Sequence, residues 1–203
     1  MARLGMAPCA PAAYVEVLSR GHDGCAFEQG VPAGSRGLGR TFPGAPPLHR
    51  HTHSDETFTV VQGRMGWSVD GRTGEASEGG VISIPKGAVH TFWNAADDEP
   101  RGGPSRPDLV VRFTLAPCGG APAFFENLAG ICADAGGRHR VPFAQLVLLY
   151  AAHGFELATM PRPVWRLLAA VVPPIARALG YRAAYPEYAS AGGTPGGGAA
   201  AAA

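Results

Sequence analysis

Charge is scarce in this chain. Asp, Glu, Lys and Arg together make up 16% of residues, with 17 basic against 16 acidic side chains and a formal net charge of +1. A soluble domain usually carries about 25%, and nucleic acids or anionic bilayers are held by a broad one-signed footprint that this balance does not supply. The expectation is no nucleic-acid partner and no membrane partner. Cysteine is scarce as well: Cys9, Cys25, Cys118 and Cys132 are the whole complement. None forms the C-x-x-C pair of a structural zinc site, and four in this length are too few for a disulfide scaffold. Isolated thiols suit a reducing compartment, so a cytoplasmic location is expected. Long hydrophobic runs are missing too. Met1 to Ala13 has no apolar stretch of secretory-signal length, so the chain reads as not secreted. The absence of acids before Glu16 leaves an organellar presequence open. Val164 to Val172, the most apolar segment, is interrupted by Arg166 and stopped by Pro173-Pro174, too short to cross a bilayer.

What the chain has in quantity is turn-formers, 29 glycines and 19 prolines in 203 residues, alongside 46% hydrophobic residues. That combination argues for one core built from many short strands rather than a helical bundle. Tyr14–Leu18 and Cys25–Phe27 are strand-like pieces in a Gly/Pro-rich opening. Thr57–Val61 ends at Gln62-Gly63, and Met65, Trp67 and Val69 alternate with smaller residues before Asp70-Gly71, a pair that tolerates the positive φ of a hairpin turn. Val81–Ile84 halts at Pro85-Lys86-Gly87, and Leu109–Leu115 is a further strand. After about residue 120 the period changes. Pro142–His153, Pro163–Val172 and Ile175–Leu179 read as three helices, the last two separated by Pro173-Pro174. The organisation expected is an all-β barrel domain over 1–119, a C-terminal helical extension over 120–188, and a low-complexity disordered tail over 189–203.

Residues 47–63 and 79–94 carry the chemistry. His49 and His51 are two apart, so on a strand both side chains face the same way. Glu56 lies far enough on to return along a neighbouring strand after a tight corner. His90 adds a third imidazole from a separate strand. Three imidazoles and one carboxylate suit a first-row divalent ion. The competing register, His51-x-His53, would put Thr57 or Phe58 at the acidic position, and neither is a ligand.

At these residues the sequence resembles the cupin family. Its first motif, H-x-H, three or four residues, E, six residues, G, is filled by His49, His51, Glu56 and Gly63. Its second, G, five residues, P-x-G, two residues, H, three residues, N, is filled by Gly79, Pro85, Gly87, His90 and Asn94. The spacer over 64–78 has the compact length of small single-domain cupins. One departure lies upstream, where the family's leading glycine position holds Pro43, with Gly44 one place late. The resemblance implies a jelly-roll (double-stranded β-helix) barrel and a divalent transition metal on His49, His51, Glu56 and His90. Iron or manganese is favoured, and zinc, nickel or copper is compatible. It also implies a homodimer.

The remaining candidates are weighed against ordinary structural roles. His53 falls on the corner after the strand, solvated or beside the ligands. Asn94 reads as a side chain that bonds loop backbone. Alternation from Glu56 turns Phe58 and Val60 inward, where with Phe92 they form core and pocket wall together. Arg112 reads as an outward-facing residue rather than an anion clamp, and Arg50 has parity opposite to the ligands. The nameable walls are apolar and aromatic, so a small apolar or aromatic substrate is expected. The leading function is a small-molecule oxidoreductase of the dioxygenase type. A metal-dependent isomerase or lyase on the same ligands, or a non-catalytic metal- or ligand-binding protein, stays open. A transcription regulator is rejected, because residues 141–160 carry little positive charge. The apolar helices have to cover something: packing on the barrel is the default, with a dimer interface or a lid as alternatives. Phe124, Phe125 and Trp165 are the candidate anchors.

Overall fold

Alternating burial along the strands is the rule that builds this protein. In the computed structural model, which describes residues 4–5, 14–21, 23–33, 46–98, 107–135 and 141–189, Leu109–Ala116 (β10) buries Leu109, Val111, Phe113 and Leu115 and turns Arg112 and Thr114 out. Asp55–Gln62 (β5) does the same with Glu56, Phe58 and Val60. Buried and exposed faces separate because successive strand side chains point to opposite sides.

The chain order is β1 (Leu4–Gly5), β2 (Tyr14–Arg20), β3 (Cys25–Val31), β4 (His49–His51), β5, β6 (Arg64–Val69), β7 (Arg72–Ser77), β8 (Val81–Ile84), β9 (His90–Asn94) and β10. Then come α1 (Ala121–Asp134), α2 (Phe143–Ala152), β11 (Phe155–Leu157) and α3 (Arg162–Ala178). Two antiparallel sheets result, in the orders β1-β2-β3-β10-β5-β8 and β11-β4-β9-β6-β7. One apolar cluster joins them. Phe58 of the first sheet meets Phe92 of the second at 4.9 Å between ring centroids, and Phe113 stacks on Phe27 at 4.9 Å. The central strand β10 is paired on both sides, with Phe113 opposite Phe27 of β3 and Phe58 of β5.

The helices share that core. Phe125 of α1 lies 4.9 Å from Phe27, Phe124 stacks on Phe155 at 3.9 Å, and Tyr150 of α2 sits between Phe124 (5.0 Å) and Trp165 of α3 (6.5 Å). Phe124 and Trp165 are each 2% exposed, and Phe125, the third expected anchor, is half-buried against the core. An ion pair from Arg20 of β2 to the buried Glu126 of α1 ties the first helix to the first sheet. Helix α1 and strand β11 lie outside the elements that the sequence pattern predicts. The segment after residue 120 therefore contributes a strand as well as helices.

One expectation is corrected. Pro173-Pro174 does not separate two helices but lies inside a single α3. Each proline removes one N–H and frees a carbonyl four residues back. Here those carbonyls belong to Ala169 and Ala170, which are half-buried and exposed, so water can satisfy them. Proline's fixed φ is itself helical, which leaves the turn geometry intact. Cys9, Pro43 and Gly44 lie outside the described residues, as does the expected tail from residue 190 onward.

Candidate metal centre

Strand β4 is three residues long, and two of them are the paired histidines. Its neighbours fix it: Leu157 and Phe155 of β11 stand opposite His49 and His51, while His90 of β9 stands directly opposite His49. The chain then turns through residues 52–54 into the other sheet. Thr52 donates from both N–H and Oγ1 to Gly154 O (3.0 Å each), and Ser54 Oγ donates to Pro117 O (2.6 Å). That corner brings Glu56 of β5 across from the imidazoles. The second motif's turn is locked to the first, since Gly87 N donates to His51 O at 2.8 Å. Gly87 has φ of +84°, a backbone state that disfavours any side chain with a Cβ. Gly63, at the end of the first motif, has φ of +81°, and a Cβ there would stand 2.9 Å from Asp108 O.

His49, His51, Glu56 and His90 are 8%, 4%, 3% and 1% exposed, and one candidate donor atom from each falls within 4.8 Å of all the others. Nitrogen and oxygen donors about 2.1 Å from an ion would stand at most about 4.2 Å apart across it. The observed spread needs only small adjustment. Glu56 Oε2 is 2.9 Å from His90 Nε2 and 3.4 Å from His51 Nε2. None of these three buried atoms has a satisfying hydrogen bond. Two other contacts orient the rings. His49 donates Nδ1–H to Pro47 O (2.9 Å) and His90 donates Nδ1–H to Ala88 O (3.0 Å). A backbone carbonyl can only accept, so each Nδ1 carries the proton and each Nε2 keeps a lone pair available. Orphaned buried atoms facing one another, with lone pairs held forward, are what a divalent cation would satisfy.

The electrostatics agree. Burial, reinforced by the neighbouring His90 and His51, pushes His49 well below its ordinary value, so it stays neutral. Burial alone would raise the Glu56 carboxyl, but the facing imidazoles of His51 and His90 outweigh it and hold the group well below the usual carboxylate range. For His90, burial pulls down while Glu56 pulls up and prevails, leaving the ring above its ordinary value.

Of the other candidates, Asn94 is fully buried and donates Nδ2–H to Val31 O (3.2 Å) and Pro107 O (3.0 Å) while accepting from Ala96 N (3.0 Å). It braces loops rather than facing the donors. Phe58, Val60 and Phe92 are buried in the core and line neither cavity near the site. His53 is exposed at the corner, on a cavity of about 270 Å³ that also touches His51, Cys118, His153 and Phe155. Arg112 is exposed and bonds Glu28 Oε2 at 3.0 Å, and Arg50 lies 3.5 Å from Glu156, so neither is an anion clamp at the centre. Gln29, Tyr150 and Phe155, which the sequence does not single out, line a small cavity with His49 and the anchor Phe124. The ring of Phe155 stands edge-on to His51 at 4.7 Å. Gln29 left one signal, an amide at an inward position between Phe27 and Val31.

The fold and site together define a β-sheet protein with a buried four-donor centre shared by two sheets. The family described as the cupin domain matches residues 41–101. The chain is 31% identical over 155 residues to a probable oxidoreductase, virH, of Hypocrea virens, covering 70% of this chain and 67% of that protein. It is 30% identical over 133 residues to the oxidoreductase iacF of Pestalotiopsis fici, covering 61% of this chain and 62% of that protein. This chain belongs to the cupin family. It thus spans about two thirds of the length of these relatives. Among solved structures, KdgF from Halomonas sp. aligns with a TM-score of 0.41 at 19% identity, over 53% of this chain and 80% of that one. Among the described residues, no helix is long and apolar enough to cross a membrane.

Proposed function

We propose that this cupin is a metal-dependent oxidoreductase acting on a small apolar or aromatic molecule, with His49, His51, Glu56 and His90 as the ligands of one iron or manganese ion. The observation that carries the reading is the convergence of three unsatisfied buried atoms, His51 Nε2, His90 Nε2 and Glu56 Oε2. Leaving such groups unpaired is costly, and a cation removes the cost. The oxidoreductase names of the two relatives support the reaction class.

A bound ion of this kind supplies Lewis acidity and a one-electron couple. The chain's own residues do the rest. His49 and His90 hold their Nε2 lone pairs forward by donating Nδ1–H to Pro47 O and Ala88 O. Glu56 offsets part of the cation's charge. Phe124, Tyr150 and Phe155 form an aromatic wall beside His49, and among the described residues no Lys or Arg lines that cavity. The lining therefore favours an uncharged apolar or aromatic body over a sugar phosphate. The same reading takes the two sheets as halves of a jelly-roll barrel and places the protein in the cytoplasm as a homodimer.

The test pairs metal analysis with turnover. Protein purified without chelators is expected to carry about one equivalent of iron or manganese. Fe(II)-reconstituted protein is expected to consume oxygen with at least one member of a panel of catechols, diketones and thiols. Substrate conversion without oxygen uptake would make it an isomerase or lyase, and metal retention without turnover would make it a binding protein.

A further inference from the structure

Inward positions along β3 are apolar with one exception. Cys25, Phe27 and Val31 are 2%, 0% and 0% exposed, and Gln29, of the same parity, is 5% exposed. Its strand partners are Val15 of β2 and Val111 of β10, both fully buried. No hydrogen bond joins the Gln29 amide to any described residue. The residue is buried among valines, yet its amide atoms are not among the buried side-chain atoms left without a partner, so an amide at this inward position calls for an explanation.

The explanation lies in what Gln29 opens onto. It lines the same cavity as His49, under the rings of Phe124, Phe125, Tyr150 and Phe155. This cavity is about 30 Å³, enough for one or two water molecules. Gln29 is the one amide among the described residues of that lining, able to donate and to accept a strong hydrogen bond at once without carrying charge. An amide serves a carbonyl, enolic or hydroxyl oxygen equally well, whereas it gives a phosphate or a full cation no countercharge.

We propose that Gln29 is the specificity residue of this centre, hydrogen-bonding the carbonyl or hydroxyl oxygen of a small apolar or aromatic ligand seated against the His49 side. The inference rests on the proposed function for the ion, but not for the amide's missing partner. Gln29 acts on affinity and orientation, and the ligand's chemistry happens elsewhere.

Gln29→Met and, as a second apolar replacement, Gln29→Leu are compared with the wild-type full chain, each loaded with Co(II). Three readouts are taken: cobalt content, melting temperature, and catechol or acetylacetone affinity from the visible absorption of the bound cobalt. The expected result is unchanged cobalt content, a melting temperature equal to or above wild type, and probe binding weakened about tenfold. A lower melting temperature in both variants overturns the inference, whatever the affinity, because it makes the amide a structural group. Unchanged affinity in both variants overturns it too. So does a cobalt-loaded wild type that binds neither probe. A wild type that takes up no cobalt defeats the proposed function instead, and the melting comparison alone then decides Gln29.

Discussion

Glu56 Oε2 and His90 Nε2 approach to 2.9 Å from strands of two different sheets, both atoms buried. In the metal-free protein this contact raises the His90 ring above its ordinary value and depresses the Glu56 carboxyl. A cation would have to take the lone pair that a proton otherwise occupies. Below the raised value of His90, metal binding is therefore expected to release one proton, and affinity to fall about tenfold per pH unit. Above it, no proton is released on this account. Metal titration in weak buffer with an indicator dye, at pH 6 and pH 9, reads this directly. The stability signs follow the same shifts. The His90 contribution is complete below 6.5 and is lost as pH rises through its folded value. The Glu56 contribution is complete above 4.5 and is lost as pH falls through its folded value.

Removing a donor is expected to empty the centre while sparing the fold. Glu56→Gln and His51→Ala are each expected to weaken metal binding by more than about 100-fold, beyond what the loss of a supporting contact costs. Circular dichroism is expected to stay as in wild type. Retention of stoichiometric metal by both variants would remove these residues from the ligand set.

The pair between Arg20 and Glu126 is a structural test away from the metal. Glu126 is 4% exposed and Arg20 33%, so Arg20→Ala removes this ion pair from a buried carboxylate. The expected loss is about 2–3 kcal/mol, discounted from the fully buried case because the arginine is partly solvated. Glu126→Gln, which keeps the shape and removes the charge, is expected to cost less. Urea denaturation of the two variants distinguishes them.

Truncation after Pro117 removes α1 and β11 together. It uncovers Phe27 and Phe113, on which Phe125 packs at 4.9 and 5.5 Å, and strips β4 of one strand neighbour. A contiguous apolar patch and an unpaired edge promote self-association. The truncated chain is expected to elute as aggregate in size-exclusion chromatography, and a monodisperse monomer would refute the helices' role as cover.

The three buried thiols offer a further check. Burial raises the Cys25 thiol, with Cys118 beside it adding to the shift, and Cys118 and Cys132 are buried as well. Only the thiolate reacts quickly. A thiol reagent is expected to label these positions slowly in native protein at pH 8 and at once in denaturant.

The donors were legible because strand parity and two spaced motifs leave little freedom: His49, His51 and His90 had to lie on strands, and Glu56 had to follow a corner. The strands around Trp67, Ile82 and Phe113 announced themselves by alternation. What stayed hidden depends on long-range partners. Phe155 belongs to a three-residue strand whose only signal is its pairing with β4, and no local pattern encodes that. Helix α1 has apolar residues nearly all round, so it shows weak helical periodicity. Gln29 became notable only once its neighbours across β2 and β10 proved to be valines. Pro173-Pro174 misled because the solvent access of the freed carbonyls is a tertiary fact.

All four donors are in place in the chain by residue 90, yet Phe155, which braces the His51 ring, sits well toward the C-terminus. On the ribosome, the histidines of β4 emerge long before the strand that covers their sheet edge. A polypeptide halted between those points carries a full ligand set on an open flank, free to take whichever ion or β-strand arrives first. Maturation of the centre is thereby coupled to the arrival of β11, and termination before residue 155 leaves donors laid down by residue 90 without their cover.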